Sequence, residues 1–178
     1  MNLLLFGVSN VGKTVTGKLL AERLGFCFYD LDDEVKNFLS VSIEDFVHTG
    51  SLFDRDQIRC QLINNIVQAK ANKVLAITPL SHIANIRHLF SSNGTLAILL
   101  QDSPERIFER LVFSDENDRI YKDDDYKNQH RAHYISEIEE DISWYGRIYS
   151  EIENVFEMDG NPPGVVVDQI IRKYQLHQ

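Results

Sequence analysis

One octapeptide restricts this chain more than any other stretch. Gly7-Val8-Ser9-Asn10-Val11-Gly12-Lys13-Thr14 fits the pattern G-x-x-x-x-G-K-[ST] in full. The apolar run Leu3-Leu4-Leu5-Phe6 precedes it. After it, Val15, Leu19, Leu20 and Leu24 recur at helical spacing, and Gly25 closes the helix. Strand, glycine-bounded loop and helix, in that order, make a cradle for a phosphate chain. The glycines let backbone N–H groups come close to the anion, and the helix N-terminus adds its partial positive charge. Lys13 contributes a point charge to the outer phosphates, and the Thr14 hydroxyl can ligate Mg²⁺. The whole loop is therefore read as a nucleoside-triphosphate site, with ATP and Mg²⁺ as the expected ligands.

The rest of the chain continues the alternation. Phe26–Tyr29, Val74–Ile77, Thr95–Leu100 and Val155–Met158 read as further strands. Helices are expected over 34–39, 42–50, 55–71, 83–90, 103–112, 131–149 and 165–174. Strands alternating with helices imply a three-layer α/β/α P-loop fold with a central five-stranded parallel sheet. Ligands in such sheets sit at the carboxyl ends of the strands, where the loop, Asp30, Asp32 and Thr78 all fall. A single domain is expected over 1–178. Residues 114–127 are strongly acidic and offer little to a core, so a mobile lid is expected over about 112–130. Trp144, Tyr145 and Tyr149 share one helix with Ile135, Ile138 and Ile142 and are expected in the core.

Charge narrows the partners. The net charge of −9 argues against nonspecific nucleic-acid binding. No apolar run approaches the length of a membrane span, and Met1–Phe6 lacks the basic start of a signal peptide. Cys27 and Cys60 stand apart without metal-type spacing, and the 6 histidines are scattered. These features lead us to expect a cytoplasmic monomer whose partner is a small molecule.

Asp30 and Asp32 close the second strand, and at that spacing a strand would point both the same way. One carboxylate would then lie near Mg²⁺ and the other near an acceptor hydroxyl, as phosphoryl transfer needs. The acidic run Asp32-Asp33-Glu34 would equally suit the first turn of a helix.

These residues resemble the shikimate kinase family over nearly the whole length. The loop at Gly7–Thr14, the stretch Phe28-Tyr29-Asp30-Leu31-Asp32, Pro104 through Leu111 and Asn161-Pro162-Pro163-Gly164 carry the likeness. The resemblance implies an ATP-dependent small-molecule kinase. It would make Asp32 the base on the acceptor side and set Asp30 near the metal. Arg110 and Pro162 would line the adenine, and Arg119 would be the lid arginine that reaches the phosphates. Catalysis would then fall to Lys13, Asp32 and Arg119.

The acceptor half departs from the family. After Phe53 the family carries an arginine that pairs with the shikimate carboxylate, in the pattern F-R-x-x-E; here Asp54 and Gln57 stand at those places. Three glycines after the third strand are replaced by Pro79-Leu80-Ser81, of which Pro79 has no N–H to donate. A second carboxylate-binding arginine falls on Tyr145. An acceptor other than shikimate is therefore one expectation. A nucleotide-binding regulatory or interaction protein, with the cradle kept and turnover lost, is the alternative.

Overall fold

The computed structural model describes residues 1–177; Gln178, the last residue of the expected single domain, lies outside the described residues. The chain runs β1 (Asn2–Phe6), α1 (Lys13–Leu24), β2 (Cys27–Asp30), α2 (Leu31–Leu39), α3 (Ile43–Val47), α4 (Leu52–Gln68), β3 (Lys73–Ala76) and β4 (Thr95–Gln101). It continues through α5 (Pro104–Glu109), β5 (Phe113–Ser114), β6 (Ile120–Tyr121), α6 (Asp124–Gln129), α7 (Arg131–Ile148), β7 (Asn154–Glu157) and α8 (Pro163–Lys173). Five strands form one parallel sheet in the order β2-β3-β1-β4-β7.

The central position of β1 follows from its sequence. Leu3, Leu4, Leu5 and Phe6 are all fully buried. Alternate side chains enter opposite layers, Leu4 and Phe6 with α2, α4 and Tyr149, Leu3 and Leu5 with α1 and α8. A strand covered on both faces has no place for polar residues. The α/β/α sandwich expected from the alternation is therefore formed, and its carboxyl edge carries the P-loop, Asp30 and Thr78.

Three expectations need correction. The first concerns residues 114–127. They contribute to a short antiparallel hairpin, β5 with β6, followed by α6. Aromatic residues on both sides hold it: Phe113 packs on Tyr121, Tyr126 and Tyr134. Lys127 is buried and lies over the Phe108 ring. The hairpin turn also touches the body of the fold, because Asp118 accepts the Ile43 N–H at 2.8 Å. An acidic composition hid this, since Asp115, Asp118 and Asp123 accept backbone N–H groups at turns and helix starts while a few aromatics do the packing.

The second is the helix expected over 83–90, of which only Arg87–Phe90 forms a 3-10 turn. Ile83, Ile86 and Leu89 are buried, and the N–H groups just before this segment bond to other parts of the fold. Leu80 N–H donates to the Tyr149 hydroxyl, and those of Ser81 and His82 to Asp56. The third is Trp144, which is 50% exposed while Tyr149 is 1% exposed. No residue within α7 is fully buried: Ile135, Ile138, Ile142 and Tyr145 are half-buried, and only the capping Tyr149 reaches the core.

Candidate active site

The loop between β1 and α1 is shaped by glycine at both ends. Gly7 has φ 141° and Gly12 has φ 112°, and Asn10 between them is also left-handed at 58°. A Cβ on Gly7 would stand 2.6 Å from the Leu100 carbonyl oxygen, so only hydrogen fits there. Lys13 is 9% exposed and folds back over the loop, donating to the Gly7 and Val8 carbonyls at 3.0 and 2.7 Å. Burial lowers its pKa to about 8, against the opposing pull of Asp32 and Asp30. An ammonium this poorly solvated gains a great deal from an incoming phosphate.

Thr14 donates its hydroxyl proton to Asp30 Oδ2 at 2.7 Å. Asp30 ends β2 and also caps α2, its Oδ1 accepting the Asp32 N–H at 3.1 Å. Both readings of this acidic run therefore hold together: strand end and helix cap. Asp32 is not in the strand, as expected above, but in the first turn of α2. The turn still brings it to the same cavity, of about 840 Å³, that holds Ser9, Asn10, Lys13, Thr14, Asp30 and Thr78. Thr14 and Asp30 offer hard oxygen donors of the kind Mg²⁺ takes. Among the described residues no three His, Cys, Asp or Glu converge on a metal position, so further ligands would have to be phosphate oxygens and water.

Burial pushes the Asp32 carboxyl above its usual range, with Asp30 adding to the effect; Arg59, Lys13 and Thr78 oppose it. Its Oδ1 is buried and has no hydrogen-bond partner among the described residues. A raised, partly unsatisfied carboxylate at the cavity wall is suited to take a hydroxyl proton.

Arg110 and Pro162 lie on the same cavity, with Val112, Met158, Gly160 and Asn161. Asp102, which the sequence reading passed over, organises this end. Its side chain is fully buried and accepts from Arg110, from Arg106 at 3.3 Å and from Gly160 N–H at 3.3 Å. Arg110 also donates to the Val11 carbonyl at 3.0 Å, tying the P-loop to the Pro162 loop. A lone acid just past the carboxyl end of β4, four and eight residues before two arginines, was the available signal.

Arg119 is placed differently from expectation. It sits in the β5–β6 turn, exposed, with its backbone N–H on Asp115, and it does not line the cavity; its neighbour Ile120 does.

In the acceptor half, Asp54 does not face the cavity. It closes a capping box with Ser51 at the start of α4, its carboxylate accepting the Ser51 N–H at 3.0 Å. Arg55 donates to the Thr49 and Gly50 carbonyls, and Gln57 bonds Asn85. The buried face of α4 instead presents Asp56 and Arg59, an acid followed by a base in place of R-x-x-E. Arg59 Nη2 lies 3.9 Å from Asp32 Oδ1. A capping box at Ser51 fixes the phase of α4, and that S-x-x-D pattern was the signal that could have found the pair.

Comparison with known proteins agrees with this geometry. Residues 9–175 match the family profile described as Shikimate kinase. The shikimate kinase of Persephonella marina is 29% identical over 172 residues, covering 96% of each chain. That of Chlorobaculum tepidum is 29% identical over 176 residues, covering 98% of this chain and 91% of its own. Among solved structures, shikimate kinase from Bacteroides thetaiotaomicron superposes with TM-score 0.78 at 16% identity, covering 99% of both chains. The Acinetobacter baumannii enzyme, solved in complex with shikimate, superposes with TM-score 0.73 at 21% identity, covering 98% of this chain and 92% of its own. With P-loop, paired aspartates and five-stranded parallel sheet in place, the chain belongs to the shikimate kinase family, ATP-dependent phosphotransferases that act on a hydroxyl of a small molecule.

Proposed function

We propose that this member of the family passes the γ-phosphoryl group of ATP to a small metabolite bound beside Asp32, and that the residues above divide the work. The observation that supports this division is the convergence of Lys13, Thr14, Asp30 and Asp32 on one cavity that also takes in Arg110 and Pro162. The backbone N–H groups from Gly7 to Thr14 would cradle the phosphates. Lys13 would exchange its two loop carbonyls for phosphate oxygens, gaining a full charge pair in a buried setting. Thr14 and Asp30 would hold Mg²⁺, which when bound supplies charge neutralisation at the phosphates. Arg110 and Pro162 would flank the adenine. Asp32 would orient the acceptor hydroxyl and accept its proton, a role its raised pKa favours. Arg119 would enter the site only when the lid, about residues 112–130, closes further. We place the enzyme in the cytoplasm as a monomer, with no nucleic-acid or membrane partner.

A coupled ADP-release assay with shikimate, polyols and sugar acids tests the reading. Asp32→Asn is expected to retain ATP affinity and to lower transfer by about 10²–10⁴-fold. Lys13→Ala is expected to weaken ATP binding. If ATP binds but no acceptor raises ADP release, turnover has been lost and the regulatory alternative stands.

A further inference from the structure

A second cavity, of about 520 Å³, lies behind the P-loop, between the carboxyl ends of β4 and β7, α5 and α7. It shares no lining residue with the nucleotide cavity. Incomplete packing of α7 leaves it open. None of the α7 residues is fully buried, and Val155 of β7 stays 37% exposed. Gly146, inside α7, lines the space, and a Cβ added there would meet nothing within 4 Å. Glycine weakens a helix relative to alanine, so α7 gives up stability at a position where a side chain would enter the cavity. The volume is in the range of small-molecule sites.

We infer that this cavity is an effector site for a small organic cation, an apolar ring system that carries a protonated amine. Leu99, Ile107 and Ile142 supply an apolar floor, beside the Tyr145 ring, which stacks on Tyr149 at 5.9 Å. The polar part of the lining is mostly acidic. Arg106 is its one cation, and Asp102 at 3.3 Å and Asp159 at 3.8 Å already share it. Glu139 and Glu157 are exposed at the rim, with no ion pair or side-chain hydrogen bond among the described residues. An ammonium held at the mouth gains both carboxylates while the ring fills the floor. A carboxylate there would meet like charge.

The cavity reaches ATP through its own walls. Gly7 and Val8 of the P-loop close one side, and the Val8 carbonyl accepts from Lys13 at 2.7 Å. Asp102, on another side, holds Arg110, which donates to the Val11 carbonyl at 3.0 Å. A molecule seated against these residues favours one arrangement of the loop over others, and so changes the affinity for ATP. Linkage makes that effect reciprocal. The effector role rests on the P-loop reading above, whereas binding of the cation does not.

Calorimetry on the full chain at neutral pH compares three probes with one ring system: 1-naphthylmethylamine, 1-naphthylmethanol and 1-naphthylacetate. The amine is expected to bind about three-fold or more tighter than the alcohol, the scale of two rim ion pairs, and the acetate most weakly. No binding of the amine, or equal binding of the alcohol or acetate, overturns the inference. Gly146→Leu fills the space and is expected to abolish amine binding with an equal or higher Tm; a folded variant that binds the amine like wild type overturns the location. Glu139→Gln with Glu157→Gln, both at exposed positions, is expected to reduce the amine to the affinity of the alcohol. An unchanged ratio in that double variant overturns the charge reading, whether or not Gly146→Leu folds. With Mg²⁺ and a nonhydrolysable ATP analogue present, saturating amine is expected to change the Kd of the analogue by about five-fold or more. An unchanged Kd overturns the effector role. An analogue that fails to bind the free protein is a distinct outcome, and defeats the P-loop reading itself.

Discussion

Replacing Tyr149 by Phe removes a single oxygen atom where α7 meets the loop after β3. The Tyr149 hydroxyl lies 2.7 Å from the Leu80 nitrogen and accepts its N–H. Leu80 is 0% and Tyr149 1% exposed, so water has no easy route to the vacated position. The ring itself keeps its place between Phe6 and Tyr145, at centroid distances of 5.2 and 5.9 Å. The loss is then close to that of one buried donor left without a partner, about 1–3 kcal/mol and centrally about 2. For a chain of this size about 2 kcal/mol corresponds to a fall in Tm of about 4–8 °C. Urea unfolding followed by circular dichroism should show a lower midpoint with an unchanged slope. Because Pro79 follows the same loop to the cavity wall beside Asp32, KM for the acceptor should rise while KM for ATP stays near its wild-type value. A stability change under about 0.5 kcal/mol, within the range of ordinary surface substitutions, would show that the loop relaxes freely and would refute the anchoring role.

Two further outcomes follow from the charges. Burial holds Lys13 near a pKa of about 8, and bound phosphate should raise it, so ATP binding should take up a proton and weaken as pH rises above about 8. Calorimetry of ATP binding at about pH 9 in buffers of different ionisation heat checks this, and the absence of proton uptake would refute a Lys13 that is partly neutral before ATP binds. For Asp102, burial pushes the carboxyl up, but hydrogen bonds from Arg110, the Ser103 N–H and Arg106 outweigh it and hold the pKa below the usual value. Its contribution to stability is therefore present above the unfolded carboxylate pKa and lost as pH falls through the lower folded value. Asp102→Asn should cost about 2 kcal/mol at neutral pH, with the gap closing in acid, and should raise KM for ATP by loosening Arg110 and Gly160. Parallel melts of both proteins from neutral to acid pH read the first effect and initial rates the second.

The nucleotide half was largely legible because its determinants are contiguous. A loop whose glycines, lysine and threonine lie within eight positions carries its geometry in its own backbone, and the apolar run before it needs only cover on both faces. Asp30 was legible for a similar reason, since it stands where β2 passes directly into α2. Asp32 reached the right cavity by the wrong local structure, as a helix residue instead of a strand residue, because one tight junction turns both carboxylates to the same side.

The acceptor half was harder to read because its members come from distant segments. Anchoring α4 on Phe53 put Asp54 at the expected arginine position, whereas the capping box with Ser51 uses Asp54 to start the helix. With the helix phase set there, Asp56 and Arg59 turn inward, and the loop after β3 donates to Asp56 in place of forming a helix. Asp102 likewise joins Arg106 and Arg110, from the helix that follows it, to Gly160 near the far end of the chain. What the amino-acid order determined by itself was the phosphate cradle and the alternation that builds the sheet, both products of short-range backbone chemistry. Tertiary structure alone decided which charges meet behind Asp32, because buried ions are governed by whichever partners the packed helices bring within a few ångströms.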